Sequence, residues 1–141
     1  MHSRLILFTL LFISFFYSKP ISIHKAEKVA KHLVISKGLE PEKFNIESVF
    51  IEYDDSNLIP LIYIINIEEK GFVIVSADDT VYPLLGYSFN HYYSENNHPI
   101  QFDDMLKFFK KQILYVIDNN IDQVDIVRDS WEKYLSDNFE N

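Results

Sequence analysis

Apolar positions recur at helical spacing soon after residue 20. Ala26, Val29, Ala30, Leu33 and Val34 lie three or four apart, so they share one face of a helix. Ser22 is a natural N-cap, and Ile21 before it suits a hydrophobic staple. Gly38 and Pro41 punctuate the other end. The pattern predicts a helix over residues 23–37.

The rhythm then changes. Residues 44–53 carry Ile46, Val49, Phe50 and Ile51 and predict a strand. Asp54-Asp55-Ser56-Asn57 reads as a turn. The run LIYIINI at residues 61–67 predicts a second strand, and Glu68-Glu69-Lys70-Gly71 closes a hairpin in which Gly71 is free to take a positive φ. FVIVS at residues 72–76 is apolar on consecutive positions, which predicts burial on both faces. Another turn at residues 77–80 leads to a fourth strand over residues 83–89, with Pro83 at its start.

Beyond a polar loop at residues 90–99, helical spacing returns. Phe102, Met105, Leu106, Phe109, Ile113, Val116 and Ile117 form one stripe, predicting a helix over residues 102–119. Asp103 and Asp104 fall in its first turn, where the macrodipole favours them. A third helix over residues 122–135 places Val124, Val127, Trp131 and Leu135 on one side. Strands grouped between helices predict an α+β fold. We expect an antiparallel sheet of about four strands with an N-terminal helix and one or two C-terminal helices packed on it.

Composition narrows the chemistry. The 141 residues suit one domain. There is no cysteine, hence no thiol nucleophile, disulfide or thiolate metal site. The formal charge of −8 argues against a general nucleic-acid binder, which needs a basic footprint, and suits a solvated protein or one that meets a basic partner. Arg4 followed by an apolar run at residues 5–17 has the layout of an export signal. The run is shorter than a membrane span requires. We expect a signal over residues 1–18 and a single mature domain over residues 19–141, secreted or periplasmic and free of the membrane once the signal is removed. Phe16 stands where a small residue is preferred if the cut follows Ser18, so a retained anchor stays open.

No motif points to catalysis. His24 and His32 are eight apart, and His91 and His98 share the polar loop; neither pair has ligand spacing such as H-x-x-x-H. The Asp pairs 54–55, 78–79 and 103–104 fall at turns or a helix start, where Asp has a structural job. Three glycines spread along the chain build no phosphate loop. We expect no cofactor, no metal and no enzyme activity.

The middle of the chain is more specific than its pattern. Tyr63-Ile64-Ile65-Asn66-Ile67, then Gly71-Phe72-Val73-Ile74-Val75-Ser76-Ala77-Asp78-Asp79, then Pro83-Leu84-Leu85-Gly86-Tyr87-Ser88 resembles the prosegment of streptopain-type cysteine proteases. The same module occurs as stand-alone Spi-type streptopain inhibitors. Pro20-Ile21-Ser22 before the first helix, and Pro99, Leu106 and Gln112-Ile113 after the sheet, agree with it. The resemblance covers residues 20–117. It departs at Lys70-Gly71, where the family has two glycines, which makes the turn less permissive. It leaves residues 118–141 unmatched, where the proteases would continue into a linker and catalytic domain.

The resemblance implies inhibition of a streptopain-type cysteine protease by noncovalent obstruction of its active site. It assigns to Asn66 the role of a wedge in the protease cleft, since Asn66 matches the Asn of the family's Y-x-x-N-I run. Asn66 has a structural reading too, as a strand-end residue bonding the backbone or turn beside it. Tyr63, Glu68, Tyr87, Tyr92 and Tyr93 are the other expected contact residues. Tyr87 also reads as a half-buried sheet residue, and the loop holding Tyr92 and Tyr93 as a solvated connection. Two other functions stay open: an orphan or truncated prosegment acting as a folding chaperone, and a secreted binding module of different specificity.

Overall fold

The computed structural model describes residues 19–137; the expected export signal lies outside the described residues. Helix α1 (Ile23–Ser36) begins where Ser22 caps it, its Oγ accepting from the Lys25 N–H at 3.3 Å. Ala26, Val29, Ala30, Leu33 and Val34 are buried as the spacing requires. Gly38 follows at φ 98°, and the Gly38 N–H closes onto the Ile35 carbonyl.

Four strands follow: β1 (Ile46–Tyr53), β2 (Pro60–Ile67), β3 (Gly71–Ser76) and β4 (Leu84–Ser88). Every neighbouring pair is antiparallel and the spatial order is β1-β2-β3-β4, a simple meander. β1 starts two residues later than its apolar pattern because Pro41–Lys43 forms a 3-10 turn, and the Phe44 N–H bonds the Pro41 carbonyl. Pro83 stands just outside β4, and its carbonyl accepts from the Ser76 N–H.

Helix α2 (Ile100–Asp118) and helix α3 (Asp125–Leu135) complete the fold. α3 starts three residues later than expected. Gln123 is drawn away to donate its Nε2 to the Asp79 carbonyl, and Val124 caps the helix in an extended conformation. Val124 is therefore exposed, while Val127 and Trp131 are buried as expected.

The sheet is the middle of three layers. Side chains alternate along a strand, and both faces of β2 and β3 find cover. Tyr63, Ile65, Ile67, Val73 and Val75 face α1 and α3. Ile62, Ile64 and Ile74 face α2, with Leu106 and Ile113 opposite. Burying each such side chain contributes about 1.5–3 kcal/mol, so the two central strands carry much of the stability. α3 is part of the fold and not a tail. The Trp131 Nε1–H donates to the Val81 carbonyl at 2.8 Å, and Tyr134 meets His32 edge-on.

The two sheet glycines differ. Gly71 has φ 88°, and a Cβ there would fall 2.1 Å from the Ser88 carbonyl oxygen, so only glycine fits. Gly86 has Ile74 Cδ1 at an ordinary 3.5 Å from a would-be Cβ; it marks no tight contact. The hairpin turn places its left-handed residue at Glu69, φ 58°, and not at Lys70. A lysine is therefore tolerated where the resemblance led us to expect a less permissive turn.

Candidate functional site

β2 positions Asn66 next to its last residue, on the sheet face that packs against α2. Asn66 is 4% exposed. Its Oδ1 accepts from the Tyr93 N–H at 2.9 Å, and its Nδ2 donates to the Tyr93 carbonyl at 2.9 Å and to Ser48 Oγ at 3.0 Å. The carboxamide thus pairs with one residue's backbone at both ends, as a neighbouring strand would. Its polar atoms are all engaged inside the fold. The structure thus places Asn66 inside the fold, where the resemblance implied an exposed wedge. The structural reading holds in a modified form, because the partner is a loop 27 residues away and not the adjacent turn.

Tyr93 sits where Asn66 pins it. Its ring is 5% exposed and meets Phe50 and Phe72 edge-on, with Phe102 tilted against it. Burial, aided by the carboxylates of Glu52, Glu95 and Asp103, pushes its hydroxyl up to about 12. Tyr63 is also interior, its hydroxyl donating to the Ile21 carbonyl at 2.8 Å beneath α1. Both tyrosines, expected as contact residues, are placed inside the fold. Both belong to the packing, because each stands on a sheet face or loop that a helix covers.

Glu68, Tyr87 and Tyr92 remain at the surface. Glu68 and Tyr92 both lie at the β2–β3 hairpin. The Glu68 carboxylate accepts from Asn45 Nδ2, and the Tyr92 hydroxyl accepts from the Glu69 N–H. Beside them an open groove of about 860 Å³ runs between the hairpin and the α1–β1 connection, lined by Leu39, Glu40, Lys43, Phe44 and Lys70 among others. Tyr87 stands apart on edge strand β4, against Phe89. The loop at residues 90–99 is therefore neither wholly a solvated connection nor wholly a contact surface. Tyr93 and His98 turn inward, and Tyr92, Asn96 and Asn97 turn outward.

The sequence reading missed one constellation. His98 bonds the Ser94 carbonyl through Nδ1 and Asp103 Oδ1 through Nε2, both at 2.7 Å, and stacks on Tyr93. Two acceptors suit an imidazolium, and the carbonyl first and the carboxylate second raise the His98 pKa. The five-residue spacing from His98 to an Asp in the first turn of α2 was the available signal. Among the described residues no group of three or more His, Asp or Glu has the arrangement to hold a metal ion. None of the described helices is long and apolar enough to cross a membrane.

Comparison with known proteins agrees with the prosegment-like run. The thiol protease/hemagglutinin PrtT of Porphyromonas gingivalis is 25% identical over 114 residues. That alignment covers 79% of this chain and 13% of the protease, so the chain spans a small fraction of the curated relative it matches. No solved structure matches. The family described as Spi protease inhibitor matches residues 18–113, a span that takes in α1, the whole sheet and most of α2. On that match, the chain belongs to the Spi protease inhibitor family.

Proposed function

We propose that the chain is a secreted inhibitor that binds a streptopain-type cysteine protease noncovalently and blocks its active site as a prosegment would. It performs no chemistry of its own. The observation that carries this reading is the family match across the helix, the sheet and most of α2. The fold supports it: a sheet buried on both faces and clamped at Asn66 presents its exposed surface in one conformation, so little ordering entropy is lost on binding. The apolar run at residues 5–17 behind Arg4 supports export.

The test is to mix the purified chain at micromolar concentration with streptopain and with PrtT. Loss of proteolysis and a complex on gel filtration are the expected results. Full activity with no complex refutes the reading. A second reading has one observation in its favour, the similarity to a protein of which this module is 13%. In it the chain assists folding of a protease. Refolding either protease with and without the chain separates the two, since a pure inhibitor leaves the refolding yield unchanged.

A further inference from the structure

Five exposed apolar side chains gather at one end of the sheet. The hairpin with Glu68 and the loop with Tyr92 occupy the other end. The β1–β2 loop, the β3–β4 connection and the α2–α3 connection share this one, joined by the bond from Gln123 to the Asp79 carbonyl. They carry Leu58, Ile59, Tyr82, Ile121 and Val124, exposed by 79%, 42%, 47%, 37% and 55%. Leu58 is the most exposed large apolar side chain among the described residues.

The loop that displays Leu58 is rigid. The Asp54 carboxylate accepts from the Leu58 N–H at 2.9 Å, the Ile59 N–H at 2.8 Å and the Ser56 hydroxyl. The Asp54 N–H donates to the Ile59 carbonyl at 2.9 Å, and Asn57, at φ 57°, donates its N–H to the Asp54 carbonyl. The loop holds its shape without using the Leu58 side chain. An apolar group shown to water on a preorganised support is the arrangement of a contact anchor.

Charge describes what it would meet. Residues 54–59, 77–83 and 118–125 together contain seven Asp and no Lys, Arg or His. Asp55, Asp118, Asp122 and Asp125 are exposed. Four of the seven are engaged within the chain: Asp54 by its own loop, buried Asp78 by Thr80, Asp79 by the Lys19 N–H and Asp125 by Arg128 at 2.6 Å, which leaves Asp55, Asp118 and Asp122 exposed and outside the ion pairs of the described residues. The opposite end mixes Glu68 and Glu69 with Lys43 and Lys70. An apolar centre with exposed carboxylates beside it complements an apolar depression flanked by basic side chains.

We propose that this end of the sheet is the protease-docking face, with Leu58 entering an apolar depression on the catalytic domain and Asp55, Asp118 and Asp122 meeting Lys or Arg beside it. The proposal rests on the protease reading and moves the contact away from Glu68 and Tyr92. Inhibition constants against streptopain and PrtT, measured with the full chain, test it. Leu58→Asp is expected to weaken inhibition at least about tenfold, the equivalent of an unburied leucine, with an unchanged unfolding midpoint. Glu68→Gln and Tyr92→Phe are expected to stay within about threefold, and the unchanged chain to lose affinity as salt rises. Undiminished inhibition by Leu58→Asp, or self-association through Leu58 with inhibition intact, overturns this proposal alone. No inhibition by the unchanged chain refutes the protease reading, and this one with it.

Discussion

Asn66→Ala removes three hydrogen bonds at once. The Tyr93 N–H loses its acceptor, and the Tyr93 carbonyl and Ser48 Oγ lose their donor. The two backbone groups belong to a residue 5% exposed, so bulk water replaces little of the loss. At about 1–3 kcal/mol for each buried group left unpaired, the expected destabilisation is about 2–5 kcal/mol. For a domain of this size that lowers the melting temperature by on the order of 10 °C. The assay is thermal unfolding by circular dichroism, together with hydrogen exchange at the Tyr93 amide, which should lose protection. Asn66→Asp sharpens the test. One oxygen still accepts from Tyr93, but the other faces the Tyr93 carbonyl without a proton. Burial and that repulsion raise the new carboxyl's folded pKa. Its destabilisation is then full above the folded value and relieved as pH falls toward the unfolded value of about 3.9. Unchanged melting and Tyr93 protection in Asn66→Ala, with inhibition alone reduced, would refute the clamp and restore Asn66 as a wedge.

Further outcomes follow from the same geometry. Gly71→Ala should cost at least about 3 kcal/mol or prevent folding, since its Cβ meets a backbone oxygen at 2.1 Å and its φ is positive; Gly86→Ala should fall within about 1 kcal/mol by urea denaturation. The raised pKa of His98 means that it stabilises fully below the unfolded value of about 6.5, and that this contribution is lost as pH rises through the folded value. Asp103→Asn should therefore flatten the fall of the melting temperature as pH rises above about 6.5. Trp131→Ala should cost about 3–5 kcal/mol and abolish the near-ultraviolet signal of the only tryptophan, because the ring is 4% exposed in the core under α1.

The helices and strands were legible because their signals are local. Ser22, Gly38 and the Ala26 to Val34 stripe delimit α1, and the unbroken FVIVS run marks β3 as buried on both sides. The candidate site was not legible, because its decisive contacts are remote. Asn66 finds its partner 27 residues on, and nothing in a polar loop marks Tyr93 as a residue that turns inward. Residue type alone does not place Tyr63, Asn66 or Tyr93 inside, since aromatic and amide side chains occupy either environment according to their partners. The late start of α3 has the same origin. Gln123 is held by Asp79, 44 residues away, and no capping pattern in the helix reports it.

The meander bears on how the molecule assembles. Each strand pairs only with its sequence neighbours, so the sheet can grow hairpin by hairpin with short loops to close. The distant closure is α1 against α3, reinforced by the Lys28–Asp137 ion pair across 109 residues. That seam should form last and open first. Hydrogen exchange would then show the sheet amides protected to the global limit while α3 exchanges through a cheaper, partial opening, leaving a loosened molecule that still keeps its sheet.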